Sequence, residues 1–137
     1  MIPKTMKAVV LTEPTLAEKV LLSDVSVPQL RAAWVLVNLK AFGLNHSEQI
    51  LRLSEIQADY INRPIIPGIE CVGEIVDPSD SHFQKGEKIA ALMGGMGRSF
   101  NGSYAEYVLL PTSHVFSVQT DLSWTQMAAV PETWFTA

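Results

Sequence analysis

Few side chains in this sequence have a type and spacing that could do chemistry, and they are scattered. The single cysteine, Cys71, excludes an internal disulfide and any multi-cysteine zinc site. With Val72 beside it in an apolar run, it reads as a buried, inert thiol. His46, His82 and His114 share no metal-ligand spacing, and each reads as a surface or loop residue. Gly95-Met96-Gly97 opens like a dinucleotide-binding fingerprint, but position 100 is Phe and no helical pattern follows. Gly97 to Ser103 has the glycine spacing of a phosphate-binding loop without its lysine, so an ordinary loop is the better reading. Glu70 stands apart. It follows Pro67-Gly68-Ile69 and opens an apolar strand, where a carboxylate needs a partner if buried. From the residues alone, structural and functional roles for Glu70 are evenly balanced.

The elements that must position these groups are mostly strands. Met6 to Leu11, Val20 to Val27, Trp34 to Phe42, Glu70 to Val76, Lys88 to Met93, Tyr104 to Leu110 and Val115 to Val118 are short and apolar-rich. Gly or Pro turns separate them, as in an antiparallel barrel that is closed or nearly so. Gly73, inside one strand, calls for a bulge or a close backbone approach. Ser47 to Ile56 is the first helical stretch, with Ser47 placed to cap it. Near the end, Ser123-Trp124-Thr125-Gln126 has capping-box spacing before a short helix over 125–130. Pro131 then favours a second helix start, with Glu132 in its first turn. That helix runs only to Ala137, and Trp134 and Phe135 lack an evident core.

Composition narrows the function classes. At 137 residues, with 47% hydrophobic and 18% charged, the chain suits one packed domain rather than disorder. A net charge of −4 without a Lys/Arg cluster argues against nucleic acid as a partner. No apolar run reaches the roughly 20 residues that span a bilayer, and the start lacks a signal-peptide layout. The expectation is a cytoplasmic domain.

In their order, four segments resemble the N-terminal domain of the medium-chain dehydrogenases/reductases. They are Gly43-Leu44-Asn45-His46-Ser47-Glu48, Pro67-Gly68-Ile69-Glu70-Cys71-Val72-Gly73, Gly86-Glu87-Lys88-Ile89 and Gly102-Ser103-Tyr104-Ala105-Glu106-Tyr107. The ending, residues 129–137, resembles the two-helix lead-in to that family's Rossmann domain. The resemblance implies a mainly β fold: a GroES-like antiparallel β-barrel with a few short helices. Residues 1–122 would form the substrate-side catalytic domain, and 123–137 the lead-in to a nucleotide-binding domain absent from this chain.

The departures from the zinc alcohol dehydrogenases are informative. A cysteine ligand position holds Asn45, a histidine position holds Ile69, and a third ligand position near the last helix holds Glu132. The loop around 94–103, where a four-cysteine lobe would sit, has no cysteine. An amide, an alkyl chain and a carboxylate do not make a tight N/S zinc site, so no metal is expected. The pattern is similar to the zinc-free quinone oxidoreductases and enone reductases.

That resemblance implies a small-molecule substrate and NADPH or NADH, bound mainly by the absent domain, with the whole enzyme a homodimer. It places Asn45 beside nicotinamide and substrate as the catalytic candidate. Thr136 would lie at the nicotinamide end and Arg52 at the cleft edge, as further cofactor-binding candidates. Ile50 stands where some members have a tyrosine. His46 and Ser47 match positions that touch phosphate or relay protons in zinc relatives. The expected function is hydride reduction of a quinone or α,β-unsaturated carbonyl without zinc, with this chain inactive alone. Two alternatives remain: an alcohol dehydrogenase with a degenerate metal site, and a non-enzymatic GroES-like binding or assembly module.

Overall fold

The computed structural model describes residues 1–137. Period-two alternation shapes β1 (Thr5–Val9), where Met6 and Ala8 point inward while Thr5 and Lys7 face solvent. β1 pairs antiparallel with β2 (Leu22–Ser26). The larger sheet contains β3 (Trp34–Ala41), β4 (Glu70–Asp77), β5 (Lys88–Leu92), β6 (Tyr107–Pro111) and β7 (Val115–Ser117). Its order is β6-β3-β4-β5-β7, antiparallel throughout. All seven expected strands are present.

The barrel is a curled half-barrel. The two sheets meet through the segment leading into β6, where Val9 N–H donates to Tyr104 O and Glu106 N–H to Lys7 O. Gly73 is the close approach anticipated for it. A side chain there would collide with the Asn38 carbonyl across the β3–β4 pair, whose register shifts twice. The main core lies inside the curl and includes Val35, Val37, Cys71, Ile89, Ala91 and Leu110. Cys71 is completely buried, and burial pushes its thiol up to about 12. It is inert, as the sequence suggested.

There are three short α-helices: α1 (His46–Leu53), which packs with Leu11, Ile56 and Ile65 through Leu51, and α2 (Trp124–Ala128) and α3 (Pro131–Phe135), which lie on the sheet. The first corrects the expected start. Asn45, not Ser47, is the N-cap, and Leu51 is the fully buried side chain of its inner face. The α2 cap matches its spacing: Gln126 N–H donates to Ser123 Oγ at 3.2 Å, and Ser123 N–H to Gln126 Oε1 at 3.0 Å. Met127 and Ala128 pack with Val72, which seats α2 on the sheet. Trp134 and Phe135 stay largely exposed. Phe135 nonetheless stacks on Phe116, their ring centroids 6.0 Å apart.

Candidate active site at the head of the first helix

The site is built around Asn45. Its backbone is extended (φ −120°, ψ 153°), as an N-cap requires, and its N–H donates to Glu48 Oε2 at 2.7 Å. The Asn45 side chain faces the Glu48 N–H in return, completing a capping box. Glu48 reaches further. Its Oε1 accepts the Ile69 N–H at 3.2 Å, which fastens the start of α1 to the loop before β4. Burial pushes the Glu48 carboxyl above its ordinary range, against the opposing pull of backbone N–H donors and the nearby Arg98 guanidinium.

Glu70 does find the partner its position demanded. It is 4% exposed, and its Oε2 accepts the Glu132 N–H at 2.6 Å. Gly43 is required beside it, because any side chain there would run into the Glu70 carboxyl. Burial raises the Glu70 carboxyl, and the charges of Glu132 and Glu48 add to the rise. The Glu132 N–H and the Asn45 side chain oppose it. The Asn45 Nδ2 donor lies near this carboxylate, yet it is buried and makes no hydrogen bond.

Asn45 and Arg52 come together on the wall of one cavity of about 210 Å³. Tyr104 and Glu48 add polar groups to that wall, and Val9, Leu11, Val20 and Leu44 add apolar ones. Burial raises the Tyr104 hydroxyl, with the neighbouring Glu48 carboxylate adding to the rise, so it stays a neutral donor at physiological pH. Arg52 is partly committed: its Nη1 donates to Thr15 O at 2.5 Å. Thr136 does not line this cavity. It caps the end of α3, exposed, with Oγ1 donating to Glu132 O at 2.5 Å. Its connection to Asn45 runs through Glu132 and Glu70.

The three positions that the resemblance matches to zinc ligands hold Asn45, Ile69 and Glu132. Ile69 is buried and alkyl, and no group of three His, Cys, Asp or Glu side chains is placed to hold a metal ion. His46 pairs with Gln49 at 3.1 Å, and His114 lies beside Gly94, so the histidines do not converge.

Reading the sequence alone missed Glu48 and Tyr104. The signal for Glu48 was present: Asn45-His46-Ser47-Glu48 has capping-box spacing. Arg98 was also missed. It reaches from the glycine-rich loop to Ser47 O and to Glu55, each at 2.9 Å.

Residues 31–120 match the family model described as the alcohol dehydrogenase GroES-like domain. The chain belongs to this family. Mouse synaptic vesicle membrane protein VAT-1 homolog-like is 29% identical over 134 residues, covering 96% of this chain and 30% of that protein. Human quinone oxidoreductase is 31% identical over 120 residues, covering 84% of this chain and 34% of that one. The chain thus spans about a third of the length of these relatives. Among solved structures, the human VAT-1 homolog-like protein superposes with a TM-score of 0.83 at 26% identity, over 96% of this chain and 41% of that chain. Quinone oxidoreductase from Coxiella burnetii gives 0.83 at 23% identity, over 97% and 43%, a likeness of fold. The chain is therefore a GroES-like domain of the medium-chain dehydrogenase/reductase superfamily, related to quinone oxidoreductase and VAT-1 proteins. No helix is long and apolar enough to cross a membrane.

Proposed function

We propose that this domain is the substrate side of an NAD(P)H-dependent reductase acting on a quinone or an α,β-unsaturated carbonyl, without zinc. The observation that carries the reading is the Asn45 amide. It stands at the wall of a half-apolar cavity, its Nδ2 donor buried beside the Glu70 carboxylate without a hydrogen bond of normal geometry. Such an orphaned donor is costly unless something accepts from it. A carbonyl oxygen of substrate or of a nicotinamide carboxamide fits it. Zinc does not fit the amide, alkyl and carboxylate groups at positions 45, 69 and 132, so no step passes through a metal.

The chemistry does not call for a Lewis acid. A bound nicotinamide cofactor would supply the hydride for a conjugated carbon, with the electron pair passing to the carbonyl oxygen and a proton taken up from water. Asn45 orients that oxygen and donates to it as its charge develops. The neutral Tyr104 hydroxyl and the Arg52 guanidinium add donors to the same wall. The apolar residues opposite exclude water from an otherwise uncharged, flat substrate. Thr136, one element away, serves the nicotinamide end, in a helical lead-in to a nucleotide-binding domain. Human quinone oxidoreductase, among the relatives, supports the substrate class. The cytoplasm and a homodimeric whole enzyme belong to the same proposal.

The test uses the complete protein that contains this domain. Asn45→Ser keeps a helix-capping oxygen while removing the amide. It should lower kcat/KM for NADPH-dependent benzoquinone reduction ~10–1000-fold, about 1.4–4 kcal/mol of transition-state stabilisation. The melting temperature should hold. Unchanged kcat/KM in that variant, or stoichiometric zinc in the purified protein, would overturn the reading.

A further inference from the structure

We infer that Glu70 is a positioning residue that holds α3, and with it Thr136, in register with Asn45. The inference rests on the proposed roles of Asn45 and Thr136. Its structural basis is a single bond. The Glu132 N–H to Glu70 Oε2 contact, 2.6 Å long, is the one hydrogen bond that joins residues 119–137 to the rest of the chain. Every other hydrogen bond of α2 and α3 stays within that segment.

Packing alone does not fix α3. A cavity of about 290 Å³ lies between the sheet and the α2–α3 pair, lined by Val72, Met127, Val130, Pro131 and Phe135 among others. Trp134 and Phe135 keep most of their surface in solvent. Apolar contact of this loose kind is non-directional and permits sliding. A hydrogen bond is directional, and this one is short. Glu70 itself is held rigidly: it begins β4, its carboxyl is buried, and Gly43 leaves no space on its other side. The same carboxylate faces the Asn45 side chain. One fixed group therefore bonds the α3 start and lies beside the α1 cap, and it sets the distance across which cofactor and substrate must meet.

Hydrogen exchange on the 137-residue chain tests this directly. In Glu70→Leu, amides of residues 132–136 should exchange about tenfold faster or more, the loss expected for a hydrogen bond to a charged group. Amides of β3 and β4 should stay within about twofold. The Asn45 side-chain NH₂ resonances should shift as their neighbouring carboxylate disappears. Glu70→Gln, which keeps an acceptor oxygen of the same shape, should restore protection of α3. The inference fails if α3 protection is unchanged in Glu70→Leu, if the barrel loses protection in step with α3, or if Glu70→Gln does not rescue. None of these readouts involves turnover, so a failure of the proposed quinone chemistry would leave them standing.

Discussion

Glu70 and Cys71 are consecutive residues of one strand, and they inhabit opposite worlds. Cys71 points into a core of Val, Ile and Ala side chains, where nothing polar needs satisfying. Glu70 points into a junction where three acidic side chains, an amide and several backbone N–H groups meet. Both residues are buried. The core is held by volume, and any well-fitting hydrocarbon serves there. The junction is held by direction, with each carboxylate oxygen aimed at a particular N–H. Stability belongs to the first region. The relative placement of Asn45, Ile69 and Glu132 belongs to the second.

The largest effect should come from the core. Ile89, on β5, is fully buried in the main core, so Ile89→Ala should cost roughly 2–5 kcal/mol in urea unfolding, with an unchanged slope against denaturant. A loss below about 1 kcal/mol would mean the curl is not packed as described. Gly43→Ala probes the junction next. The new methyl collides with the Glu70 carboxyl, and overpacking of this kind costs about 1–3 kcal/mol. Most of that cost should vanish when Glu70 is also changed to Ala, because the clash has then lost its partner. Equal costs in both backgrounds would place the strain elsewhere and break the contrast between core and junction.

The sequence made these two regions unequally legible. Short apolar-rich runs between Gly and Pro turns exposed all seven strands, with alternation clear in only some of them. They could not show that the barrel stays open. Closure depends on whether β1 joins the segment before β6 along its length or at one bridge, Ala8 to Ala105. Asn45 stood out by resemblance, while its capping role was overlooked in favour of Ser47. Glu48 was hidden because half of its function is an N–H 21 residues away, at Ile69. Local spacing reveals a capping box and says nothing of a carboxylate's second oxygen. Glu70 needed a partner on physical grounds alone. That the partner would be the backbone of Glu132, 62 residues on, was beyond any pattern in the chain.

The smallest expected effect is a slope with pH, and it separates the junction from the surface by sign. Glu48 and Glu70 both have folded-state carboxyls raised above their usual range, first by burial. A raised carboxyl binds its proton more tightly when folded. Its contribution to stability is therefore fully present below the unfolded value near 4.5 and is lost as pH rises through the folded value. Glu55, Asp80 and Glu87 behave oppositely. The Arg98 guanidinium, the Ala33 N–H and the Ser117 hydroxyl respectively hold their carboxyls low. Their contribution disappears as pH falls below the unfolded values, 4.5 for the glutamates and 3.8 for Asp80. Above about pH 4.5 the raised pair should dominate, so the chain should lose stability gently as pH rises from there. The change is bounded by about 1.4 kcal/mol per pH unit for each proton involved. Glu70→Gln, a neutral group of the same shape, should flatten the slope, and Glu48→Gln should flatten what remains. Urea unfolding at half-unit steps measures it. A slope that persists in the double variant would assign the titration to groups outside the junction, and stability rising with pH above about 4.5 would show that its N–H donors outweigh burial after all.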